Sequence, residues 1–208
     1  MRVNRLQPEF YQGDTLAVAR ELPGKLLVRE SPDGVTAGRI VEVEAYIGPD
    51  DRAAHSYNNR RSERTEIQYG PGGYAYVFRI YGMYNCFNIV TQAPGRPEVV
   101  LVRALEPVAG LELMARRRKI ADIGPGHLSK LTGGPGRLCQ AMEITMRQYG
   151  SNLCSGCLYL LDDGTSVSDQ DILATPRINI DYAGEARDHL WRFIIRGNPC
   201  VSVEQVKR

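Results

Sequence analysis

Gly73-Tyr-Ala-Tyr-Val-Phe-Arg-Ile-Tyr-Gly-Met-Tyr-Asn-Cys-Phe-Asn-Ile-Val90 is the stretch that decides the fold. Tyr74, Tyr76, Phe78 and Ile80 alternate with Ala75, Val77, Arg79 and Tyr81, and a period of two marks a strand. Gly82 permits a reversal, and residues 85–90 resume the strand, so 73–90 reads as a β-hairpin. Working outward, 98–104 and 35–47 read as strands, the latter closed by Gly48-Pro49. Ser31-Pro-Asp-Gly34 is a turn that joins 35–47 to a strand at 25–30. Residues 157–161, 177–181 and 192–196 read as late strands. A helix starts at Asp14, a good N-cap, with Leu16, Ala17, Ala19 and Leu22 as its stripe and Pro23-Gly24 as its stop. Further helices are expected at 107–120, 128–131 and 135–142, the last with Pro135 in its first turn. Residues 52–71 read as an irregular, basic surface loop. Strands predominate and several are joined by tight turns. The expectation is therefore an α+β chain: one domain over 1–208, a curved antiparallel sheet flanked by helices, and a protruding hairpin.

Composition excludes several classes. Hydrophobic residues make up 43% and charged residues 24% of the 208, which is ordinary for a globular chain and unlike disorder or coiled coil. No apolar run approaches the ~18–20 residues of a membrane helix. The first residues lack the ~7–15-residue apolar core of a signal peptide. These features point to a soluble, cytoplasmic chain with no membrane partner. Five cysteines, an odd number, argue for reduced thiols over a disulfide framework.

The net charge of +2 hides an uneven distribution. Arginines outnumber lysines 22 to 4, and arginine gives bidentate phosphate contacts that lysine does not. Arg52, Arg60, Arg61 and Arg64 form one basic segment and Arg116-Arg117-Arg118-Lys119 another, while residues 148–176 carry Asp162, Asp163, Asp169 and Asp171 and no cation. The basic segments are either solvated faces or a polyanion surface.

Glu42, Glu44 and Tyr46 share one face of their strand, since side chains alternate. They read either as an exposed edge or as a general base beside a stacking ring, suited to hydrolysis of a bond to a flat leaving group. The hairpin tip, Tyr81-Gly-Met-Tyr84, is unusually apolar. It is either folded against the body or a wedge that unstacks bases. Of the glycine-rich loops, Gly124-Pro-Gly126 reads as a plain turn. Gly133-Gly-Pro-Gly136 precedes a helix start where Arg137 could meet a phosphate. His55, His127 and His189 have no metal-ligand spacing, and Cys154-Ser-Gly-Cys157 lacks partners, so no metal and no cofactor are expected.

The chain resembles the alkyladenine (3-methyladenine) DNA glycosylases of the mammalian-type monofunctional superfamily. The matching segments begin with Gly38-Arg-Ile-Val-Glu-Val-Glu-Ala-Tyr46, Gly48-Pro-Asp-Asp-Arg-Ala-Ala-His55-Ser56 and Tyr81-Gly-Met-Tyr84. Asn88, Val102-Arg-Ala-Leu-Glu-Pro107, Gly134-Pro-Gly-Arg-Leu-Cys-Gln-Ala141 and Arg192-Phe-Ile-Ile-Arg-Gly197 continue them in order along nearly the whole chain. The resemblance implies a base-excision-repair hydrolase, a bacterial member, acting on double-stranded DNA with damaged purines as a monomer, nucleoid-associated in a bacterium. It implies Glu44 as the base that activates water, with Arg103 and the Ile195 carbonyl as further water contacts. Tyr46 and Phe78 would sandwich the flipped base, His55 would wall it, and Asn88 would exclude guanine's exocyclic amine. Tyr81 would intercalate, with Met83 and Tyr84 beside it in the minor groove. Phe78 departs from relatives with tyrosine there. Arg103 reads alternatively as a structural strand arginine. A non-catalytic lesion binder of the same fold, or a carbohydrate glycosidase using Glu42 and Glu44, are the other readings. The four lysines, Lys25, Lys119, Lys130 and Lys207, lie away from these motifs, which argues against Schiff-base chemistry.

Overall fold

The structure, a computed structural model, describes residues 4–203. Lys207 and both ends of the expected domain lie outside the described residues. The strands are β1 (Asn4–Arg5), β2 (Leu26–Ser31), β3 (Gly34–Ile47), β4 (Ala75–Ile80), β5 (Tyr84–Thr91), β6 (Glu98–Ala109), β7 (Leu158–Asp162), β8 (Ile172–Thr175) and β9 (Arg192–Ile195). They pair antiparallel in the order β1-β7-β2-β3-β6-β5-β4, with β9 bridging β3 and β8, and the sheet does not close into a barrel. The helices are α1 (Pro8–Tyr11), α2 (Thr15–Glu21), α3 (Leu111–Arg118), α4 (Leu128–Thr132) and α5 (Pro135–Ala141). The fold is α+β, as expected.

Alternation along the central strands divides the sheet into two faces with different tasks. Val43 and Ala45 of β3, Ala75 and Val77 of β4, Phe87 and Ile89 of β5, and Val100 and Val102 of β6 turn to one face. There they form the main core with Met114, Leu131, Leu138 and the other apolar residues of α2, α3, α4 and α5. Each such fully buried aliphatic or aromatic side chain contributes about 1.5–3 kcal/mol. The intervening residues face the other way and build the site described below. Strand β3 shifts register against β6 near Ala37, Ile40 and Glu42. Irregularities of this kind bend a strand and re-aim its side chains.

Helix α2 begins where expected. Asp14 accepts from the backbone of Leu16 and Ala17 at 3.0 Å each, a cap worth about 1 kcal/mol. Of the expected stripe, Ala19 and Leu22 are buried and Leu16 is half-buried against the core, but Ala17 points to solvent, and Thr15 and Val18 complete the buried face. Three expectations need correction. Residues 107–109 extend β6, and helix α3 starts only at Leu111. The break is Gly110, whose φ of +73° and whose approach to the Val35 carbonyl leave no room for a Cβ. Residues 177–181 are not a strand; β8 precedes them at Ile172–Thr175. Ile178 and Ile180 do alternate, but Asn179 at φ 57° turns the chain, and the segment lies along the site instead of in the sheet. The 52–71 segment is only partly a surface loop: Ala53, Ser56, Thr65 and Gln68 are buried, and Ser56 donates to the Pro97 carbonyl at 2.9 Å. Among the described residues no helix is long and apolar enough to cross a membrane.

Candidate active site

The face opposite the helices holds a cavity of about 370 Å³. That is within the range of small-ligand sites. Tyr46 of β3, Tyr76, Phe78 and Ile80 of β4, Cys86 and Asn88 of β5, and Val99, Leu101 and Arg103 of β6 form its floor. His55 and Gln68 come from the 52–71 segment, and Ile178, Asn179 and Ile180 close another side.

A buried acid–base ladder stands behind the floor. Glu42 and Glu44 are both 0% exposed. Glu42 accepts from Arg103 Nε at 2.8 Å, Arg192 Nε at 2.8 Å, Ser202 N at 2.6 Å and Ser202 Oγ at 3.0 Å. Burial pushes its carboxyl up, but Arg103, Arg192 and the Ser202 amide outweigh burial and hold it below its ordinary value. Glu42 is thus fully engaged and fixes Arg103. Glu44 accepts from the Tyr46 hydroxyl at 2.8 Å and Arg103 Nη1 at 3.3 Å on Oε2, and from the Ile178 amide at 2.7 Å on Oε1. All three donors belong to residues of the cavity wall, with Glu44 directly behind them. Burial, then Glu44, raises the Tyr46 phenol well above its ordinary value, so it remains a donor.

The opposite side is aromatic. His55 packs edge-on against Phe78, with centroids 4.6 Å apart, and its Nδ1 lies 2.8 Å from the Tyr76 hydroxyl. Arg64 Nη2 is 2.9 Å from His55 Nε2. The same Arg64 nitrogen is 3.3 Å from His55 Nδ1, so the guanidinium lies against the ring edge and the imidazole accepts from it. Burial, then Arg64, lowers the His55 pKa to about 4, which leaves a neutral ring. Burial raises the Tyr76 phenol to about 12. Asn88 is buried, and its Nδ2 donates to the Tyr76 carbonyl at 3.1 Å.

The hairpin tip is not folded away. Tyr81 is 86%, Met83 67% and Tyr84 47% exposed. Tyr81 at φ 50° and Gly82 at φ 70° make the reversal, and Tyr81 stands at the rim of the cavity. Tyr84 lies against Gly136, where a Cβ would come within 3.2 Å of its side chain. The second glycine loop therefore seats the hairpin tip, and Arg137 is exposed beside it on α5.

The structure brings Tyr46, His55, Phe78, Tyr81, Asn88 and Arg103 to one cavity, with Glu44 behind it. Ile195 is not there: it packs with Val41, Ala104 and Cys200, and its carbonyl accepts from Asn198 N at 3.3 Å. Ile178 stands next to Glu44 in its place. Sequence reasoning also missed Arg177 and Asp51, a bidentate pair with both side chains 0% exposed, at 2.5 and 2.9 Å. The Arg177 guanidinium lies 4.7 Å from the Tyr46 ring centroid and donates to the Ala45 carbonyl at 2.9 Å, so it backs that ring. Arginine next to an alternating run was the available signal, but nothing local named its partner. The Arg52–Arg64 loop lines a second groove that shares His55 and Tyr182 with the cavity. Among the described residues no cluster of three or more His, Cys, Asp or Glu could hold a metal ion.

The sheet thus carries an aromatic, acid-backed cavity beside an exposed tyrosine. The chain belongs to the methylpurine-DNA glycosylase family, whose sequence model matches residues 9–199. A protein of Clostridium acetobutylicum named "Putative 3-methyladenine DNA glycosylase" is 50% identical over 202 residues, covering 96% of this chain and 98% of that protein. Proteins of the same printed name from Bacillus cereus (strain G9842) and Bacillus anthracis (strain CDC 684) are 52% and 51% identical, each covering 94% of this chain and 97% of the relative.

Proposed function

We propose that this chain is a monofunctional DNA glycosylase of base excision repair, acting as one domain and as a monomer on double-stranded DNA. It extrudes a damaged purine of the 3-methyladenine, 7-methylguanine, hypoxanthine or ethenoadenine class into the cavity. There it hydrolyses the N-glycosidic bond and leaves an abasic site. The observation that carries this reading is the Glu44 carboxylate set behind a cavity walled by Tyr46 and Phe78, with the exposed Tyr81 at its rim.

Extrusion of a base costs a few kcal/mol, less for a damaged one. Stacking on a ring returns about 1–3 kcal/mol, so Tyr46 and Phe78 together offset much of it. Tyr81 fills the vacated stack, Met83 and Tyr84 hold the minor groove open, and Arg137 contacts phosphate. Cleavage develops oxocarbenium-like charge on the sugar. A carboxylate has about four lone-pair sites, and three of those on Glu44 are taken. The free site is on Oε1, and there Glu44 accepts the proton of the attacking water. Arg103 orients that water, and the Ile178 backbone takes the position expected of Ile195. No lysine lines the cavity among the described residues, so no Schiff base competes with this water.

Methylated duplex DNA tests the reading. Release of free purine, seen by chromatography, supports it; tight lesion binding without release would make the chain a recognition module. Tyr81→Ala is expected to slow excision from duplex about tenfold or more, by loss of about 1–3 kcal/mol of stacking, while barely affecting a single strand. Equal losses on both would remove Tyr81 from the wedge role. Asn88→Ser is expected to permit guanine release from mismatches while hypoxanthine release persists. Undetectable guanine release with normal hypoxanthine release would show that Asn88 is not the filter.

A further inference from the structure

A second hollow, of about 340 Å³, opens on the helix-covered side of the sheet and shares no residue with the excision cavity. Arg29 of β2, Arg79 of β4, Glu143, and Arg147 and Gln148 of the short turn at 146–148 line it. Phe78 and Ile80 face the cavity, so Arg79 between them turns to the opposite side. The lining is one-sided in charge. Three guanidiniums stand against one carboxylate, and that carboxylate, Glu143, already takes the Arg117 guanidinium at 2.6 Å. Arg29 is 8% exposed. Its Nη1 meets the Glu30 carbonyl and, at 3.1 Å, the Cys157 sulfur, and it forms no salt bridge among the described residues. Arg117 adds a like charge beside it. Burial holds the Arg117 guanidinium below its ordinary value against Glu143 and Asp33, and Arg29 lowers it further. A guanidinium withdrawn from water with no opposite charge is costly. Gln148, also 8% exposed, commits its Oε1 to the Thr145 amide at 2.8 Å, which leaves its NH2 as the end free to donate.

We propose that this hollow is a phosphate-binding site, with the buried Arg29 as its base and the exposed Arg79 and Arg147 at its mouth. A phosphate supplies the negative charge that Arg29 lacks. Its oxygens match the paired N–H groups of guanidinium and the Gln148 amide. A neutral ligand would leave Arg29 unpaired. A backbone phosphodiester of DNA and a free phosphate share this chemistry. Arg79 lies on the hairpin that carries Tyr81, so the site sits on the stem below the exposed tip. It takes no part in the bond cleavage assigned to Glu44, and it stands whether or not the cavity excises a base.

Two readouts test the site in the wild type, in the double variant Arg79→Gln with Arg147→Gln, and in Arg29→Met. Inorganic phosphate replacing chloride at constant ionic strength is expected to raise the wild-type melting midpoint by about 2–4 °C, with no rise in either variant. Binding to undamaged duplex across a salt series is the second readout. Each neutralised phosphate contributes about 0.9 to the slope of log K against log salt, so a slope lower by about that much in both variants makes a backbone phosphate the occupant. An unchanged slope with a lost phosphate response makes free phosphate the occupant. Wild-type behaviour of either folded variant on both readouts overturns the site, and a phosphate rise that persists there is a general salt effect on the surface. Arg79 and Arg147 are exposed, so their double variant keeps the fold and decides the matter even if Arg29→Met does not fold. The melting readout uses no DNA, so failure of the glycosylase reading leaves it intact.

Discussion

Glu44→Gln is expected to bind lesion-containing duplex as tightly as the wild type and to release its base roughly a thousandfold more slowly, the scale of a lost general base. Glutamine keeps the volume of a side chain that is 0% exposed, so the cavity wall should persist. Its single amide oxygen can still accept from Tyr46 and Arg103. Its NH2 then faces the Ile178 amide, which presently donates to Oε1 at 2.7 Å. One bond is lost, at a cost of about 1–3 kcal/mol in stability. The larger effect is on chemistry, because Oε1 carries the site where a water would deliver its proton. Single-turnover excision alongside a binding isotherm separates the two. Normal turnover by a folded Glu44→Gln protein would remove Glu44 from its assigned role.

Asp51→Ala is expected to give the largest loss of stability, about 3–5 kcal/mol, because it strands the fully buried Arg177 guanidinium. Asp51 also accepts from the backbone of Ile47 at 3.2 Å and Ala53 at 2.9 Å, so it ties the end of β3 to the loop that carries His55. Arg177 in turn backs the Tyr46 ring. The pair therefore links fold stability to the geometry of the stacking wall. Urea unfolding should show a lower midpoint with an unchanged slope. Replacing both partners, Asp51→Leu with Arg177→Met, should recover much of the loss, since no lone charge then remains. A shift below about 1 kcal/mol in the single variant would mean the pair is not the structural tie described here. Acid acts on the neighbouring ladder: with the Glu42 carboxyl held low in the fold, its contribution to stability is present above the unfolded carboxyl value and is lost as pH falls toward the folded one.

Much of this was legible in the chain because period-two alternation carries two kinds of information at once. In Val41-Glu-Val-Glu-Ala-Tyr46, Val43 and Ala45 go to the helix-covered core, Glu42, Glu44 and Tyr46 go together to the other face, and Val41, at the register shift, packs with Ala104 and Cys200. The hairpin was equally plain, since Gly82 falls where the alternating run must reverse. Its exposure was not, because an apolar tip suits a buried and a protruding hairpin alike. What stayed hidden depends on contacts without local pattern. Arg177 and Asp51 are 126 residues apart, and Arg177-Ile-Asn-Ile imitates a strand until Asn179 turns out of the extended region. Ile178 reaches Glu44 through a backbone amide, a group every residue but proline offers, so no side chain advertises it. Ile195, on a real strand near the same motif, drew the role instead. Gln68 carried no signal either, since a glutamine in a polar loop is ordinary until its burial in the cavity wall is seen.

Hydrolysis at this cavity is the central claim, and single-turnover excision in the presence of borohydride tests it most directly. A duplex with one hypoxanthine is incubated with excess protein, and the free base, the abasic strand and any protein–DNA adduct are quantified. The expected result is one abasic site for each free hypoxanthine released, with the DNA strand left whole and no adduct trapped. Strand cleavage through a trapped protein–DNA adduct, or no release at all, would contradict it.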